Sequence, residues 1–245
     1  MKGIILAAGR GSRMKTLTDE RPKCLVELDG RPLLDYQINA LSDAGIDEIA
    51  IVTGYRRELL APRFNVEFHN PRWAETNMVS SLSMAQEWLE AETCIVSYSD
   101  IFYTSDAPRK LMQTEASLAI TFDPNWHRLW AARFDDPLLD AETFRLGVDD
   151  CLTEIGKRPT TVTEVEGQYM GLLRFESSGW QEMERIRSEM EPAARDRLDM
   201  TSALQKVIER GRVQVRGVRY TGQWGEIDSE QDLRLYEGQS QRNIG

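Results

Sequence analysis

Short apolar runs alternate with amphipathic segments through the first hundred residues of the chain. Runs with strand-favouring residues occupy positions 3–7, 48–53, 66–69 and 93–98 and predict β-strands. Residues 32–44 and 77–90 lie between them and repeat their apolar positions with helical spacing. This βαβα order predicts an α/β fold with a mainly parallel sheet and helices on both faces.

The second half of the chain has a less regular pattern. It predicts strands at residues 117–122, 151–155, 168–175 and 212–220, and helices at 107–114, 178–190 and 199–210. A polar stretch from Asp123 to Asp150 interrupts this order and predicts an insertion over the sheet. Because no linker or repeat separates the halves, residues 1–245 are predicted to form a single domain with two lobes, 1–122 and 123–245.

Charge and cysteine content exclude several classes of protein. The 245 residues include 30 Lys+Arg and 40 Asp+Glu, and the formal charge of −10 opposes binding to nucleic acid or an anionic membrane. Cys24, Cys94 and Cys151 have neither zinc-site spacing nor the even number of a disulfide framework. No apolar stretch has the length of a signal peptide or a membrane span. We therefore expect a soluble, cytoplasmic protein.

The first predicted strand leads into the segment LAAGRGSRMK, whose glycines and cations predict an anion-binding site. A P-loop is excluded, because Arg158 follows the only Gly-Lys pair, Gly156-Lys157, where Ser or Thr is required. A dinucleotide fingerprint lacks its third glycine, because Met14 stands in that place. This substitution weakens the hypothesis of an NAD-dependent oxidoreductase.

A third interpretation accounts for all the unusual residues of this segment. Backbone amides from Gly9 to Ser12 would surround a triphosphate, and Arg13 and Lys23 would supply fixed positive charge. Glycine permits both a close approach of the ligand and a positive φ. An ordinary strand-to-helix turn with surface cations is the alternative that the residues alone leave open.

The same segment carries a resemblance that extends over most of the chain. It contains the pattern L-A-A-G-x-G-x-R, and Pro22-Lys23 completes the signature of the sugar-phosphate nucleotidyltransferase family. Further matching segments are IAIVTGY, ETNMVSSL, VSYSD, GQYMGLLRF and WGEIDSEQDL. Within the family, the chain most resembles the small bacterial phosphocholine and aminoethylphosphonate cytidylyltransferases. The resemblance implies a Rossmann-like sheet of the nucleotide-diphospho-sugar transferase type, with a smaller lobe that covers the substrate.

The resemblance also implies which residues bind the nucleotide, mainly in lobe 1–122. Residues expected to face it are Leu6, Ala7, Ala8, Gly9, Gly11, Ser12, Arg13, Lys23, Thr76, Asn77 and Ser80. Asn and Ser side chains suit the edge of a pyrimidine, but they also suit the N-cap of a helix. The resemblance favours CTP, whereas the hydrogen-bonding groups alone would also accept UTP.

Two aspartates are expected to hold Mg²⁺. Asp100 follows a predicted strand, at the edge where open α/β sheets bind ligands. The resemblance matches Asp100 and Asp228 to the metal aspartates of the family. A turn or cap is the alternative for Asp100, and Ser229 with Asp232 shows a capping-box pattern beside Asp228. Asp199 is interpreted mainly as another helix cap, with a substrate or metal role as the lesser alternative.

The implied reaction is attack by a phosphate or phosphonate oxygen of the acceptor on the α-phosphorus of a nucleoside triphosphate. Such an oxygen is already a nucleophile, so alignment and charge neutralisation matter more than a general base. Arg13 and the loop amides would hold the departing pyrophosphate, Lys23 would offset charge at the reacting phosphates, and the two aspartates would bind Mg²⁺. His69 and His127 are expected to be structural or surface residues.

The acceptor is expected to bind mainly in lobe 123–245. The candidate residues are Trp126, Trp130, Tyr169, Trp224 and Glu226. Aromatic faces attract ammonium groups, so these side chains could form a box around an amine-bearing acceptor. Packing of the tryptophans onto the sheet is an equally good interpretation. Glu226, like Glu164 and Glu166, would pair with the amine or only face solvent.

Several acceptors and two other functions stay open. Related enzymes use phosphocholine, 2-aminoethylphosphonate, other phosphonates, phosphorylated amino acids or polyol phosphates. One alternative function is a sugar-1-phosphate nucleotidyltransferase that uses UTP, CTP or another triphosphate, and the other is a non-catalytic nucleotide-binding regulatory subunit. The joint presence of Arg13, Lys23, Asp100 and Asp228 favours an enzyme, because a binding-only protein has no need of both metal aspartates. A homodimer is an expectation from the family alone.

Overall fold

The computed structural model of the chain describes residues 1–242 and contains a central sheet with helices packed against it. The strands are β1 Lys2–Ala7, β2 Glu27–Leu28, β3 Arg31–Pro32, β4 Ile49–Thr53, β5 Val66–His69, β6 Cys94–Tyr98, β7 Ile101–Tyr103, β8 Leu118–Asp123, β9 Phe144–Leu146, β10 Leu152–Ile155, β11 Gln168–Phe175, β12 Val215–Arg219 and β13 Trp224–Glu226. The helices are α1 Leu33–Asp43, α2 Met78–Leu82, α3 Gln86–Ala91, α4 Asp106–Met112, α5 Trp126–Arg133, α6 Ser177–Ser188, α7 Pro192–Asp196, α8 Met200–Arg210 and α9 Glu230–Arg242. None of the helices within residues 1–242 is long and apolar enough to cross a membrane.

The central sheet has seven strands in the order β12-β8-β11-β6-β1-β4-β5. Neighbouring strands are parallel except at β11, which runs antiparallel to both β6 and β8. In the middle of the sheet, Leu6 of β1 lies opposite Val52 on one side and Tyr98 on the other. The prediction of an α/β fold with a mainly parallel sheet is therefore confirmed.

The path of the chain through the sheet creates a crevice beside β1. From β1 the chain passes through α1 to β4 and on to β5, and it then returns through α2 and α3 to β6 on the other side of β1. Right-handed crossovers in opposite directions place their helices on opposite faces of a sheet. Ligands of open α/β sheets bind at this switch in strand order, outside the carboxyl ends of the strands. Here those ends are Ala7 and Tyr98.

A separate apolar cluster fixes the loop that follows β1. Met14 is fully buried and packs in a cluster with Leu33, Phe102 and Ile227. Burying a side chain of this size stabilises a fold by about 1.5–3 kcal/mol. The residue that breaks the dinucleotide fingerprint is therefore an anchor, which ties the glycine-rich loop to α1 and to the segment before α9.

Several predicted elements differ from those observed. The helix predicted at 77–90 is divided into α2 and α3 by a 3-10 turn at Ser83–Ala85. At this turn the Ser83 hydroxyl donates to the Ser80 carbonyl over 2.8 Å, a local bond that competes with regular helix. The predicted strand 151–155 is β10, which pairs with the unpredicted β9 outside the central sheet.

A short ribbon that the hydrophobic pattern did not predict brings two distant parts of the chain together. β7 and β13 have three residues each, too few to show alternation, and they pair antiparallel. Beyond the ribbon, the Ile227 amide donates to the Asp100 carbonyl over 2.9 Å. Asp100 and Asp228 are thereby neighbours although 128 positions separate their numbers.

Gly171 provides a test of the close packing between β11 and β6. We expect Gly171→Ala to lower the free energy of unfolding by more than Gly45→Ala. Both glycines have positive φ, 80° and 97°, which costs an alanine roughly 1–2 kcal/mol. An added Cβ would meet no atom within 4 Å at Gly45, but it would lie 2.9 Å from Tyr98 Cδ2 at Gly171. Urea unfolding of both variants measures the difference, and equal losses would contradict this account.

Candidate active site

A cavity of about 290 Å³ opens at the carboxyl ends of β1 and β6. It brings together most of the residues that the sequence predicted to face a nucleotide: Leu6, Ala8, Gly9, Gly11, Ser12, Arg13, Lys23, Thr76 and Asn77. Trp73, Met78, Tyr98 and Ser99 also line it and were not predicted. Trp73 could have been singled out from the sequence, because it is a lone tryptophan in a polar segment shortly before Thr76 and Asn77.

The glycine-rich loop owes its shape to Gly11. This residue has φ 73°, and a Cβ there would lie 2.7 Å from Cβ of Lys23. Only glycine allows the Lys23 side chain to pass so close to the loop backbone. The carbonyl of Gly11 accepts from the Thr18 hydroxyl over 3.1 Å, which fixes the turn that starts at Ser12.

Two of the predicted nucleotide residues do not line the cavity. Ala7 is buried inside β1, and the hydroxyl of Ser80 faces the Arg187 guanidinium at 3.4 Å. Ser81 lies on the cavity instead and accepts from the Asn70 amide over 3.0 Å. The serine of α2 that faces the cavity is thus Ser81, one residue after the Ser80 that the family resemblance implied.

Thr76 and Asn77 both have hydrogen-bond partners within the protein. The Thr76 hydroxyl accepts from Asn70 Nδ2 over 2.9 Å and donates to the Arg72 carbonyl over 3.0 Å. Asn77 Oδ1 accepts from the Met78 amide over 2.7 Å at the start of α2. The helix-cap alternative therefore describes what Asn77 does in this structure, although its side chain still lines the cavity.

Three carboxylates converge next to the cavity, and one of them, Asp100, lines it. Asp100 follows β6, Glu226 ends β13 and Asp228 precedes α9, and one oxygen of each lies within 4.8 Å of the other two. The ammonium of Lys23 is 2.9 Å from Asp100 Oδ2 and also donates to Asp228 Oδ1. Arg13 Nη2 lies 3.0 Å from Asp228 Oδ1. Charges of both signs are therefore concentrated at the end of the ribbon where β7 begins and β13 ends.

The pKa values in this cluster follow from burial and from the neighbouring charges. Burial alone would lower the pKa of Lys23, but the carboxylates of Asp100 and Asp228 outweigh it and raise this pKa. Burial would raise the pKa of Asp228, but Lys23 and Arg13 outweigh it and lower that pKa. At Glu226, burial and the two aspartates raise the pKa well above its ordinary value. Lys23 and Asp228 are accordingly an ionised pair at neutral pH.

The donor set suits a hard divalent cation. Oxygen ligands from carboxylates are those that Mg²⁺ prefers in proteins. One such oxygen, Asp100 Oδ1, is buried and accepts no hydrogen bond from any residue that the structure describes. Asp100, Glu226 and Asp228 therefore fit a metal ion, whereas the sequence had matched only the two aspartates to this role.

The site also contains a cation that the sequence did not reveal. Arg133, at the end of α5, has a fully buried side chain, and its Nη1 donates to Glu226 Oε2 over 3.0 Å. Arg133 belongs to no recognisable motif and lies in the stretch interpreted only as an insertion. Its position depends on the packing of α5 against α9, so no local signal could have found it.

The predicted aromatic box is not observed, because the tryptophans pack as core. Trp126 and Trp130 are buried with ring centroids 6.2 Å apart, and Trp130 is 6.2 Å from the buried Trp224. Trp224 Nε1 donates to Asp123 Oδ2 over 2.9 Å. The Arg133 guanidinium lies 5.2 Å from the Trp130 ring centre. The cation next to Trp130 is therefore Arg133 of the protein itself. The interpretation of the tryptophans as packing residues describes what the structure shows.

The remaining acceptor candidates lie in different surroundings. Tyr169 packs edge-on against Tyr98 at 5.6 Å between ring centroids, next to the cavity. Glu166 accepts from the Leu146 amide over 2.6 Å, and Glu164 completes a capping box with Thr161. Glu164 and Glu166 therefore have local structural roles, and Glu226 alone of the three glutamates lies in the charged cluster.

Neither histidine lies in the 290 Å³ cavity. His69 Nδ1 is 3.1 Å from the Thr53 hydroxyl in the sheet. His127 lines a second cavity of about 890 Å³, beside α5 and the loop before β13, which Trp224 also borders. The two cavities have no lining residue in common.

Both predicted helix caps are present. Asp199 Oδ1 accepts from the Ser202 amide over 2.7 Å at the start of α8. At α9, Asp232 Oδ2 accepts from the Ser229 amide over 2.9 Å, and the Ser229 hydroxyl accepts from the Asp232 amide over 3.2 Å. The same Asp232 oxygen accepts from the Asp228 amide over 3.0 Å, so the capping box also fixes the metal-candidate aspartate.

A second acidic group lies near Tyr98 and Tyr169 and consists of Asp199, which the sequence singled out, and Glu142, which it did not. Burial raises the pKa of Glu142 to about 7, opposed by a hydrogen bond from the Thr201 hydroxyl and assisted by the charge of Asp199. Neither Glu142 nor Asp199 forms an ion pair within the part of the chain that the structure describes. Both carboxylates thus accept hydrogen bonds from residues of α8 but have no cationic partner among the described residues.

The class of protein follows from a glycine-rich loop and clustered carboxylates at the switch point of this sheet, a combination suited to nucleotidyl transfer. Residues 3–189 match the family model of the MobA-like NTP transferase domain. The chain belongs to this family and is a nucleotidyltransferase, which confirms the class implied by the sequence resemblance.

The chain is also similar to individual proteins of known activity or structure. The chain is 37% identical over 254 aligned residues to CTP:phosphoglutamine cytidylyltransferase of Campylobacter jejuni, covering 96% of this chain and 98% of that protein. It is 40% identical over 93 residues to choline-phosphate cytidylyltransferase of Streptococcus pneumoniae, covering 36% of this chain and 41% of that protein. Among solved structures, the inositol-1-phosphate CTP transferase from T. maritima matches with a TM-score of 0.77 at 20% identity, covering 100% of this chain and 96% of that one. That last similarity supports the fold alone.

Because the pKa of Glu142 is raised, we expect that replacing it with neutral glutamine increases the free energy of unfolding by an amount that depends on pH. Between pH 4.5 and about 7, the folded protein retains a proton that the unfolded chain has released, so the wild type loses stability as pH rises. Glu142→Gln removes this loss. We expect its stability relative to wild type to increase through this range and then level off, by at most about 3 kcal/mol.

Urea unfolding at pH 4, 5.5 and 8 measures this effect. Glu164→Gln serves as a control of opposite sign, because backbone hydrogen bonds lower the pKa of Glu164 and its contribution is lost as pH falls. A stability difference between Glu142→Gln and wild type that does not change with pH would contradict the prediction.

Proposed function

We propose that the chain is a Mg²⁺-dependent cytidylyltransferase that transfers CMP from CTP to a small phosphorylated acceptor and releases pyrophosphate. The observation that carries this proposal is the convergence of Glu226 and Asp228 on Asp100 and Lys23, two residues that line the glycine-loop cavity. The cytidylyltransferases among the relatives support CTP as the donor.

Different residues of the site would bind different phosphates of CTP. Backbone amides of the loop from Gly9 to Ser12 would hold the two phosphates that leave, together with the Arg13 side chain, which is 67% exposed. Lys23 stays charged at neutral pH because its pKa is raised, and it would offset the charge that develops at the α-phosphate. Bound by Asp100, Asp228 and Glu226, Mg²⁺ would neutralise charge on the phosphate oxygens.

The reaction needs no general base from the protein. An oxygen of the acceptor phosphate forms a bond to the α-phosphorus of CTP, and the bond from that phosphorus to its bridging oxygen breaks. The electron pair leaves with pyrophosphate, and CMP stays on the acceptor. Because the acceptor oxygen is already ionised at neutral pH, the location of both histidines outside the cavity is consistent with this chemistry.

For the acceptor, we propose a phosphorylated metabolite that bears an ammonium group, with phosphoglutamine as the first candidate. The match to the phosphoglutamine enzyme extends over nearly the whole of both chains, whereas the match to the choline-phosphate enzyme covers 36% of this chain. Asp199 and, once ionised above its pKa of about 7, Glu142 would place negative charge near Tyr98, which would suit the α-ammonium group of an amino acid.

A pyrophosphate-release assay tests donor and acceptor together. It would combine Mg²⁺ and each of the four nucleoside triphosphates with phosphoglutamine, phosphocholine, 2-aminoethylphosphonate, glycerol phosphate or glucose 1-phosphate. We expect release with CTP and an amine-bearing acceptor. Release only with glucose 1-phosphate would favour the sugar-1-phosphate alternative and reject the acceptor proposed here, and a product other than the CMP derivative would reject the reaction.

Substitution at the charged cluster tests the site. We expect Lys23→Ala and Asp100→Asn to lower the rate of pyrophosphate release by at least about 100-fold, because each removes charge aimed at the reacting phosphates. Lys157→Ala and Asp106→Asn alter exposed residues outside the cavity and should leave the rate within about twofold of wild type. Circular dichroism checks that each variant folds. Full activity in either cluster variant would remove its residue from the proposed mechanism.

A further inference from the structure

Arg133 is a buried cation with three acidic neighbours. Its side chain is 0% exposed, and its Nε donates to Asp232 Oδ1 over 2.8 Å while its Nη1 donates to Glu226 Oε2 over 3.0 Å. Its Nη2 lies 3.8 Å from Asp228 Oδ2. Burying a guanidinium is costly unless it is paired and hydrogen-bonded, and here three carboxylates satisfy it.

Asp232 transmits the position of Arg133 to the backbone around Asp228. One of its oxygens binds Arg133 Nε, and the other accepts from the amides of Asp228 and Ser229 and from the Ser229 hydroxyl, at 2.9–3.0 Å. The guanidinium therefore contacts Glu226 directly and fixes Asp228 through Asp232. At Asp228, Oδ1 accepts from Lys23, whereas Oδ2 is the oxygen nearer to Arg133.

Two aromatic rings restrict the guanidinium further. Its central carbon lies 5.2 Å from the Trp130 ring centre and 5.0 Å from that of Phe134. Such cation–π contacts add to the ion pairs and limit how the guanidinium can rotate. Trp130 also packs on Trp224, which lies two residues before Glu226 on β13. The guanidinium is therefore enclosed by carboxylates and aromatic rings and is not exposed to solvent.

We propose that Arg133, together with Asp232, is a positioning residue that sets Glu226 and Asp228 for metal binding and does not itself touch the substrates. This inference rests on the proposed metal-dependent function. Residues behind the ligands of a metal orient those ligands, and their removal commonly lowers metal affinity 10–100-fold. Arg133 also offsets the negative charge of Glu226 and Asp228.

The test is Mn²⁺ binding, measured by electron paramagnetic resonance on the full chain without nucleotide or acceptor. We expect Arg133→Met to raise the Mn²⁺ dissociation constant at least about 10-fold. Arg133→Lys should recover part of the affinity, because it restores the charge without the two-point geometry. Asp232→Asn should weaken binding in the same direction, and it provides a second route if Arg133→Met does not fold.

Arg174→Met is the matched control, because Arg174 is also a buried arginine paired with a glutamate, Glu176, at 2.8 Å, away from the carboxylate cluster. We expect it to lower the unfolding temperature while leaving the Mn²⁺ dissociation constant unchanged. If Arg133→Met and Asp232→Asn lower the unfolding temperature in the same way and leave Mn²⁺ binding unchanged, Arg133 is only a structural link and the proposal is wrong.

Catalysis supplies an independent readout. With an active donor and acceptor pair, Arg133→Met should require at least about 10-fold more Mg²⁺ for half-maximal rate, while KM for CTP at saturating Mg²⁺ changes less than threefold. If the wild type binds Mn²⁺ but uses neither CTP nor the acceptors tested, the proposed function fails and the positioning role stands on the binding data. A wild type that binds no Mn²⁺ overturns both.

Discussion

Repulsion among three carboxylates at the end of β6 is the constraint on which the rest of the site depends. Oxygens of Asp100, Glu226 and Asp228 lie within 4.8 Å of one another, where water screens them poorly. The fold offsets this charge from two directions, with Lys23 from the glycine-rich loop and Arg133 from α5. Because the five residues come from four separate segments, with Glu226 and Asp228 on the same one, the site forms only when the sheet, the loop and α5 have assembled together.

The loop after β1 shows how packing determines where the charge lies. Met14 is buried against the segment that precedes α9, and this holds the loop to the same part of the protein that carries Asp228. Gly11 leaves the space through which Lys23 reaches the carboxylates. The glycine-rich loop therefore has two functions. Its small residues line the cavity, and Met14 holds the loop next to the acidic cluster.

Features encoded by neighbouring residues could be predicted from the sequence, and features that depend on distant contacts could not. The strands of the central sheet and the loop from Gly9 to Arg13 have local patterns, and so do the caps at α8 and α9. Arg133 and Glu142 have no such pattern, because burial and the approach of other segments give them their environment. Ser80 lay one residue from the observed cavity because the face of a short helix depends on where the helix begins.

The cations of the site fall into two kinds, and this division bears on substrate recognition. Arg13 is 67% exposed and Lys23 lines the cavity, so both can meet a triphosphate, whereas Arg133 is sealed by Trp130 and Phe134. The aromatic surface that would attract an ammonium group is thus already used within the protein. Under the proposed function, recognition of the acceptor falls instead to carboxylates without an internal cation. An acidic recognition site discriminates by charge, so it would favour a phosphate that bears an ammonium group over the phosphate of an uncharged sugar of similar size.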